Sequence, residues 1–171
     1  MKKENEKDSI LVKAKYSLSD LIISSNTEAN IFDFLSYKKH EKLIFNEWGL
    51  SQTHKHQRQT AINFYGPPGT GKTMAAHAIA MELGQPLLIV DYASLESKYV
   101  GETSKNIAEI FKKAKETQAI IFFDEADAIL SRRVTNMTHA TDVSVNQTRS
   151  VLLTLMNDYE GLIIFTTNFI E

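Results

Sequence analysis

Short apolar runs alternate along the chain with longer segments in which apolar residues recur every three or four positions. Four of the runs are continuous enough to be strands buried in a sheet, and they cover residues 61–65, 86–91, 119–123 and 162–167. The periodic segments predict helices over residues 25–47, 74–83, 104–116 and 143–159. Strands that alternate with helices in this way predict an α/β fold with a parallel sheet.

The first predicted helix is the one whose two sides can be assigned in most detail. Residues 25–28 have the spacing of a capping box, so the helix is expected to begin at Ser25, and Gly49 is expected to end it. Its buried side is expected to hold Ile31, Phe34, Leu35, Phe45 and Trp48. Its solvated side is expected to hold Lys38, Lys39 and Lys42. Residues 1–8 are expected to fray, and residues 131–142 to form a polar loop.

The composition is that of an ordinary soluble globular domain. The chain has 171 residues, 43% of them hydrophobic and 23% charged, with a net charge of −2. Without a basic stripe, a nucleic-acid partner is not expected, and without a run of about 18 apolar residues a membrane span is not expected. The absence of cysteine excludes disulfides and thiolate metal sites, and a cytoplasmic protein is the expectation.

A glycine-rich stretch between the first strand and the second helix has the order of a phosphate-binding loop. Its residues are Gly66, Pro67, Pro68, Gly69, Thr70, Gly71, Lys72 and Thr73. The glycines let backbone N–H groups approach a polyphosphate, and the helix that continues from Met74 adds the positive end of its dipole. Lys72 is expected to reach the β- and γ-phosphates of such a ligand, and the Thr73 hydroxyl to bind Mg²⁺.

Polar residues come after two other buried strands, where ligands of open α/β sheets bind. Asp124 and Glu125 follow the strand at 119–123, and Asn168 follows the strand at 162–167. Asp124 is a candidate Mg²⁺ ligand, and Glu125 is a candidate for orienting and deprotonating the attacking water. Asn168 is expected to fix that water or to sense the γ-phosphate. A His54-x-His56 pair is a weak metal signal without a third ligand nearby, so a solvated loop is expected there.

Three motifs together resemble the AAA family of the AAA+ ATPases. They are the stretch at 66–73 with its two prolines, Ile-Ile-Phe-Phe-Asp-Glu-Ala-Asp at 120–127 and Thr-Thr-Asn at 166–168. The resemblance spans about residues 21–168 and implies a Walker A motif, a Walker B motif ending at Glu125 and a sensor asparagine at Asn168. It also implies a three-layer P-loop NTPase fold with strand order 2-3-4-1 among the four predicted strands.

The resemblance implies further sites outside these motifs. Tyr99-Val100-Gly101 matches the aromatic–hydrophobic–glycine pore loop with which members such as katanin, spastin and FtsH grip a polypeptide. Ile22 lies where the family contacts adenine, largely through backbone and apolar packing. The basic residues at 131–133 either line a pore, contact a neighbouring subunit or are simply solvated, and these alternatives stay open at this point.

By the same resemblance, the sequence ends just after the sensor strand. The family continues with an arginine finger, a fifth strand and a helical lid, so we expect a fragment with residues 1–50 preceding the core and 51–171 forming part of the nucleotide-binding subdomain. Little ATPase activity is expected of such a fragment, because a cationic finger is worth about 10³- to 10⁵-fold in rate. The resemblance implies an ATPase that remodels a polypeptide as a ring, most often a hexamer. An ATP-gated binding module and a DNA-linked loader are the alternatives.

Overall fold

The computed structural model describes residues 9–53, 60–91, 103–127 and 140–168. The strands are β1 (Ser9–Val12), β2 (Thr60–Tyr65), β3 (Leu87–Val90), β4 (Ile120–Phe123) and β5 (Leu162–Thr167). The helices are α1 (Ser25–Lys42), α2 (Leu50–Thr53), α3 (Lys72–Leu83), α4 (Thr103–Thr117) and α5 (Ala140–Asn157). A 3₁₀ turn covers Leu18–Asp20, and a π-helical turn covers Leu43–Glu47. No helix in these four ranges is both long enough and apolar enough to cross a membrane.

The strands form one sheet in the order β1-β3-β4-β5-β2. β2, β3, β4 and β5 are the four predicted strands, and all pairs among them are parallel. The α/β class and the order 2-3-4-1 expected for these four strands are therefore confirmed. In β2 and β5, Tyr65 is paired with Thr167, so the segments after both strands leave the sheet at the same edge.

β1 is a fifth strand that the sequence pattern did not predict. It pairs antiparallel with β3, with Ser9 opposite Val90 and Val12 opposite Leu87. Ile10 is 58% exposed and Leu11 is 42% exposed, so the strand lacks the buried apolar face that gives a sequence signal. Its conformation comes from pairing with the edge of β3, and not from a pattern within the strand itself.

The core has two parts, one on each face of the sheet. On one face, α4 and α5 cover Phe123 and Phe165, and on the other, α1 and α3 cover Phe122 and Ile164. The apolar residues that recur at helical spacing in α4 are all buried there, namely Ile107, Ile110, Phe111 and Ala114. These layers give the helix–sheet–helix arrangement that a buried parallel sheet requires.

α1 begins at Ser25 as expected, but its N-cap is the residue before. The Ser24 side chain accepts a hydrogen bond from the Thr27 amide at 3.3 Å. Trp48 was expected inside but is 71% exposed. The π-helical turn explains this exposure, because the Trp48 amide donates to the Leu43 carbonyl five residues earlier and the wider winding rotates Trp48 away from the buried side.

Lys38 was expected in solvent, yet its side chain is only 9% exposed. Its ammonium lies 2.6 Å from a Glu41 carboxylate oxygen and donates to the Thr60 hydroxyl at 3.3 Å. A lysine can be covered in this way because the ion pair and the second hydrogen bond replace water around its charge. Ile31, Leu35 and Phe45 are buried as expected.

The helix before β5 begins earlier than expected, at Ala140, so residues 140–142 are helical and not loop. It ends at Asn157, which leaves Tyr159 outside the helix. The Tyr159 ring packs in the core and its hydroxyl donates to the Ala119 carbonyl at 2.8 Å. Gly161 is needed beside that ring, because a Cβ there would lie 2.4 Å from ring carbon atoms. This contact fixes how the chain enters β5.

The buried tyrosine predicts a loss of stability at high pH. Burial raises the pKa of Tyr159 to about 12 from an ordinary value of 10.0. Between these two values the unfolded state has lost a proton that the folded state keeps, so the free energy of unfolding should fall as the pH rises. For each pH unit in this range, the free energy of unfolding should fall by up to about 1 kcal/mol more in the parent than in Tyr159→Phe. Urea unfolding at several pH values measures it, with Tyr65→Phe as the exposed control. Equal slopes in the parent and Tyr159→Phe would contradict the burial of the Tyr159 hydroxyl in the folded state.

The packing of the core predicts that replacing isoleucine by alanine lowers the free energy of unfolding at a buried position but not at an exposed one. Ile164 has no exposed surface, whereas Ile22 is fully exposed. Ile164→Ala should lower the free energy of unfolding by about 3 kcal/mol because it leaves a cavity between β5 and the α1/α3 layer. Ile22→Ala should change it by less than about 0.5 kcal/mol. Denaturant unfolding of both variants checks the pair, and similar losses would mean that this face of β5 is not packed as described.

Candidate functional site

The glycine-rich segment connects the end of β2 to the start of α3. Gly69 and Gly71 have φ angles of 78° and 88°, in the left-handed region, and Gly71 is the N-cap of α3. A Cβ at either position would meet nothing within 4 Å, so glycine is required there by backbone conformation and not by space. The Thr70 hydroxyl donates to the Pro67 carbonyl at 2.8 Å and closes the turn. The loop is thus a curved stretch of backbone at a helix N-terminus.

Lys72 holds this loop together. Its ammonium donates to the carbonyls of Gly66 at 2.7 Å and Pro67 at 2.9 Å, and to the Asn168 side-chain oxygen at 2.9 Å. An ammonium has three N–H donors, so each of them has a partner. The last bond joins the loop after β2 to the residue that follows β5. An ammonium can bond only to an acceptor, so Asn168 must present its oxygen to Lys72 and keep its NH₂ group for another partner.

Asp124 and Thr73 meet at the end of β4. The Thr73 hydroxyl lies 3.3 Å and 3.5 Å from the two Asp124 carboxylate oxygens. The Thr166 hydroxyl donates to one of those oxygens from the neighbouring strand. Asp124 is half-buried, so these contacts fix its carboxylate while one side still faces the cavity.

The Thr73 and Asp124 oxygens fit a magnesium ion. Mg²⁺ prefers oxygen ligands at about 2.1 Å in an octahedral arrangement, in which neighbouring ligands lie about 3 Å apart. The separation of 3.3 Å between the Thr73 hydroxyl and the nearer Asp124 oxygen is close to that spacing. Within the described ranges, no group of three or more His, Cys, Asp or Glu side chains could hold a metal alone. An ion here would therefore need further oxygens from water or phosphate.

Glu125 has an unusual backbone conformation next to Asp124. Its φ is 53°, in the left-handed region where a residue with a Cβ is disfavoured. Two hydrogen bonds to Thr166 hold this turn: the Glu125 amide donates to the hydroxyl at 3.0 Å, and the Ala126 amide donates to the carbonyl at 2.7 Å. The Glu125 side chain is exposed and lines the cavity. Such strain is characteristic of functional positions.

Asp127 positions the chain after β5. One of its carboxylate oxygens accepts hydrogen bonds from the Thr167 hydroxyl and from the Asn168 amide, the latter at 3.2 Å. Asn168 is therefore held through its backbone by Asp127 and through its side chain by Lys72. Neither Thr166 nor Asp127 had a role that was predicted from the sequence. Both occur in the quoted motifs, but only the pairing of β4 with β5 shows which groups they contact.

These residues surround one cavity of about 520 Å³. Nine of the predicted site residues line it: Pro68, Gly69, Gly71, Lys72, Thr73, Met74, Asp124, Glu125 and Asn168. Gly66, Pro67 and Thr70 contribute to the loop behind it. The predicted adenine contact, Ile22, is fully exposed and is not among the lining residues. Tyr99, Val100 and Gly101, the basic residues at 131–133, and His54 and His56 lie outside the described residues.

Three lining residues were missed because they come from parts of the chain without a motif. Lys15 and Tyr16 precede the 3₁₀ turn, and His77 lies on α3. Burial lowers the pKa of His77, the nearby charge of Lys15 lowers it further, and Asp124 acts in the opposite direction. The balance of these effects favours the neutral form of the His77 ring. Its Nδ1 atom is buried without a hydrogen-bond partner in the described part of the chain.

The fold occurs in solved structures. The crystal structures of the FIGL-1 AAA domain, one of them in complex with ADP, superpose with a TM-score of 0.68 and cover 95% of this chain and 51% of theirs. Their sequence identity is 21%, so this likeness concerns the fold.

Two curated relatives are closer in sequence. Protein SAV of Sulfolobus acidocaldarius is 33% identical over 98% of this chain and 21% of its own length. The 26S proteasome subunit RPT4 of Saccharomyces cerevisiae is 42% identical over 63% of this chain and 25% of its own length. The chain thus spans about a fifth to a quarter of these relatives.

The family model described as "ATPase family associated with various cellular activities (AAA)" matches residues 62–171, which include the loop, the acidic pair and the asparagine. The match covers more than half of the chain, and the SAV relative extends the likeness over nearly all of it. The chain belongs to the AAA family of ATPases.

Proposed function

We propose that the chain binds ATP with Mg²⁺ and that the complete protein hydrolyses it to ADP and phosphate. The observation that carries this proposal is the convergence of Lys72, Thr73, Asp124, Glu125 and Asn168 on one cavity. They come from the ends of β2, β4 and β5, where an open α/β sheet binds its ligands. An ADP complex among the structural neighbours is consistent with a nucleotide at this place in the fold.

In the proposed complex the loop at 66–73 holds the phosphates. Backbone N–H groups and the start of α3 face the negative charge, and Lys72 exchanges a carbonyl partner for a phosphate oxygen. Thr73 and Asp124 would hold Mg²⁺, whose chemistry is to offset the charge on the β- and γ-phosphates. Lys72 already lies within reach of the loop, so the exchange needs only a local movement of its side chain.

Glu125 is the proposed general base. Its carboxylate is exposed to the cavity, while its backbone is fixed by Thr166, so the side chain can orient a water and accept its proton. Asn168 keeps an NH₂ group free of Lys72, and this group can donate to that water or to the γ-phosphate. The Glu125 carboxylate and the Asn168 NH₂ group would act on one reacting centre because β4 and β5 are adjacent.

The proposed work of the complete protein is remodelling of a polypeptide by a ring, most often a hexamer. Relatives named as a 26S proteasome subunit and as an ATP-dependent zinc metalloprotease support a protein substrate. Tyr99, Val100 and Gly101 remain the residues that are proposed to contact this polypeptide. The domain boundary near residue 50 and a cytoplasmic location also remain predictions.

The assignment of Glu125 as the general base predicts that a substitution there lowers ATP hydrolysis without lowering ATP affinity. Glu125→Gln in the complete protein should lower ATP hydrolysis by about 10²-fold or more, while the affinity for ATP changes by less than about twofold. Lys72→Ala is the contrasting variant, because it should lose most of the binding itself. Calorimetry with ATP and Mg²⁺ measures affinity, and phosphate release measures turnover. Unchanged turnover in Glu125→Gln would reject Glu125 as the base.

The pore loop predicts a loss of coupling and not of hydrolysis. Tyr99→Ala in the complete protein should keep basal ATPase activity within about twofold and lower the unfolding of an added polypeptide substrate at least about tenfold. Tyr99→Trp, which keeps a large ring, is the control and should retain most of the processing. Equal processing by parent and Tyr99→Ala would favour an ATP-gated binding module that threads nothing.

A further inference from the structure

The connection from β1 to the 3₁₀ turn, residues 13–17, reaches the cavity from outside the three motifs. Lys15 and Tyr16 line the cavity together with the phosphate loop and the acidic pair. The connection is fixed at its start, because β1 pairs with β3 from Ser9 to Val12. It is fixed at its end by the Ser17 amide, which donates to an Asp20 carboxylate oxygen at 2.7 Å. The intervening residues therefore have a defined path.

Tyr16 attaches this connection to α3. Its ring meets the His77 ring edge to face, with centroids 5.7 Å apart and planes at 86°. His77 is only 5% exposed and lies one helical turn after Thr73, on the helix that begins at the phosphate loop. The ring contact thus anchors residue 16 on a rigid element beside the candidate magnesium ligand. The residue before it, Lys15, also lines the cavity.

Lys15 brings a positive charge that has no partner in the described parts of the chain. Its ammonium forms no ion pair there. By contrast, all three donors of Lys72 are bonded to Gly66, Pro67 and Asn168. Burial is the main cause of the lowered pKa of His77, and the nearby charge of Lys15 lowers that pKa further. A cation so placed has a polyphosphate as its natural ligand, because the loop beside it also presents N–H groups to an anion.

We propose that Lys15 is a further nucleotide-binding residue, whose ammonium contacts the terminal phosphate of bound ATP and is positioned by the Tyr16–His77 contact. The terminal phosphate is the one that should lie nearest to Asp124 and Glu125, and Lys15 lines the same cavity as these acids. The segment before the core would thereby take part in distinguishing ATP from ADP. This inference rests on the proposed function, because it concerns the same cavity.

The experiment compares ATP and ADP affinity by calorimetry with Mg²⁺ in the parent, Lys15→Gln and Lys13→Gln. Lys13 is the matched control, since it is exposed in the same connection but does not line the cavity. Lys15→Gln should weaken ATP binding about three- to tenfold, as expected for an exposed charge-assisted contact, and ADP binding less than about twofold. Lys15→Arg should bind ATP within about twofold of the parent.

Two further variants test the positioning. Tyr16→Ala should weaken ATP binding about as much as Lys15→Gln does, whereas Tyr16→Phe, which keeps the ring on His77, should not. Thermal unfolding without nucleotide checks that each variant is folded. The inference is overturned if Lys15→Gln and Lys13→Gln bind ATP equally, or if Lys15→Gln loses ATP and ADP affinity in the same proportion. Failure of the parent itself to bind ATP would instead reject the proposed function.

Discussion

The parallel pairing of β5 between β4 and β2 is the constraint on which the candidate site depends. All six residues of β5 are buried, and its neighbours are fixed in register along most of its length. Because the three strands run in the same direction, the segments that follow them meet at one edge. The loop at 66–71, the acidic pair and Asn168 are therefore neighbours in space although they are far apart in the sequence.

A single side chain of β5 organises much of that edge. The Thr166 hydroxyl donates to Asp124 and accepts from the Glu125 amide, while its backbone carbonyl accepts from the Ala126 amide. A hydroxyl can serve both purposes because it has one donor and two acceptor positions. These bonds offset the cost of the left-handed Glu125 backbone. The backbone from which the Glu125 carboxylate extends is therefore fixed in position. Groups held in this way need little rearrangement when charge develops in a reaction.

The parts of the fold that were predictable from the sequence are those determined by local pattern. Continuous apolar runs indicated the four parallel strands, and the glycines with Lys72 and Thr73 indicated the phosphate loop. Interactions between distant segments were not predictable. β1 depends on the edge of β3, the cover over Lys38 depends on Glu41 and Thr60, and Trp48 depends on a change of helical winding.

The same distinction applies to the site. Residues within motifs were found because their type and spacing carry the chemistry, as with Lys72, Asp124 and Glu125. Lys15, Tyr16 and His77 carry no such spacing, and only the folded chain brings them to the cavity. Which residues outside the motifs reach the cavity is determined by which elements pack together. Thr166 and Asp127 show that even a recognised motif does not reveal which of its residues bond to one another.

The bonding of Lys72 would have a consequence for the exchange of nucleotide that the proposed function requires. Its ammonium is satisfied by carbonyl and amide oxygens of the chain, so a departing product need not leave a bare charge behind. In the proposed function, release would proceed as a stepwise substitution, in which oxygens of the chain replace those of the product one after another. The same oxygens would compete with an incoming phosphate group for Lys72 and so lower its affinity.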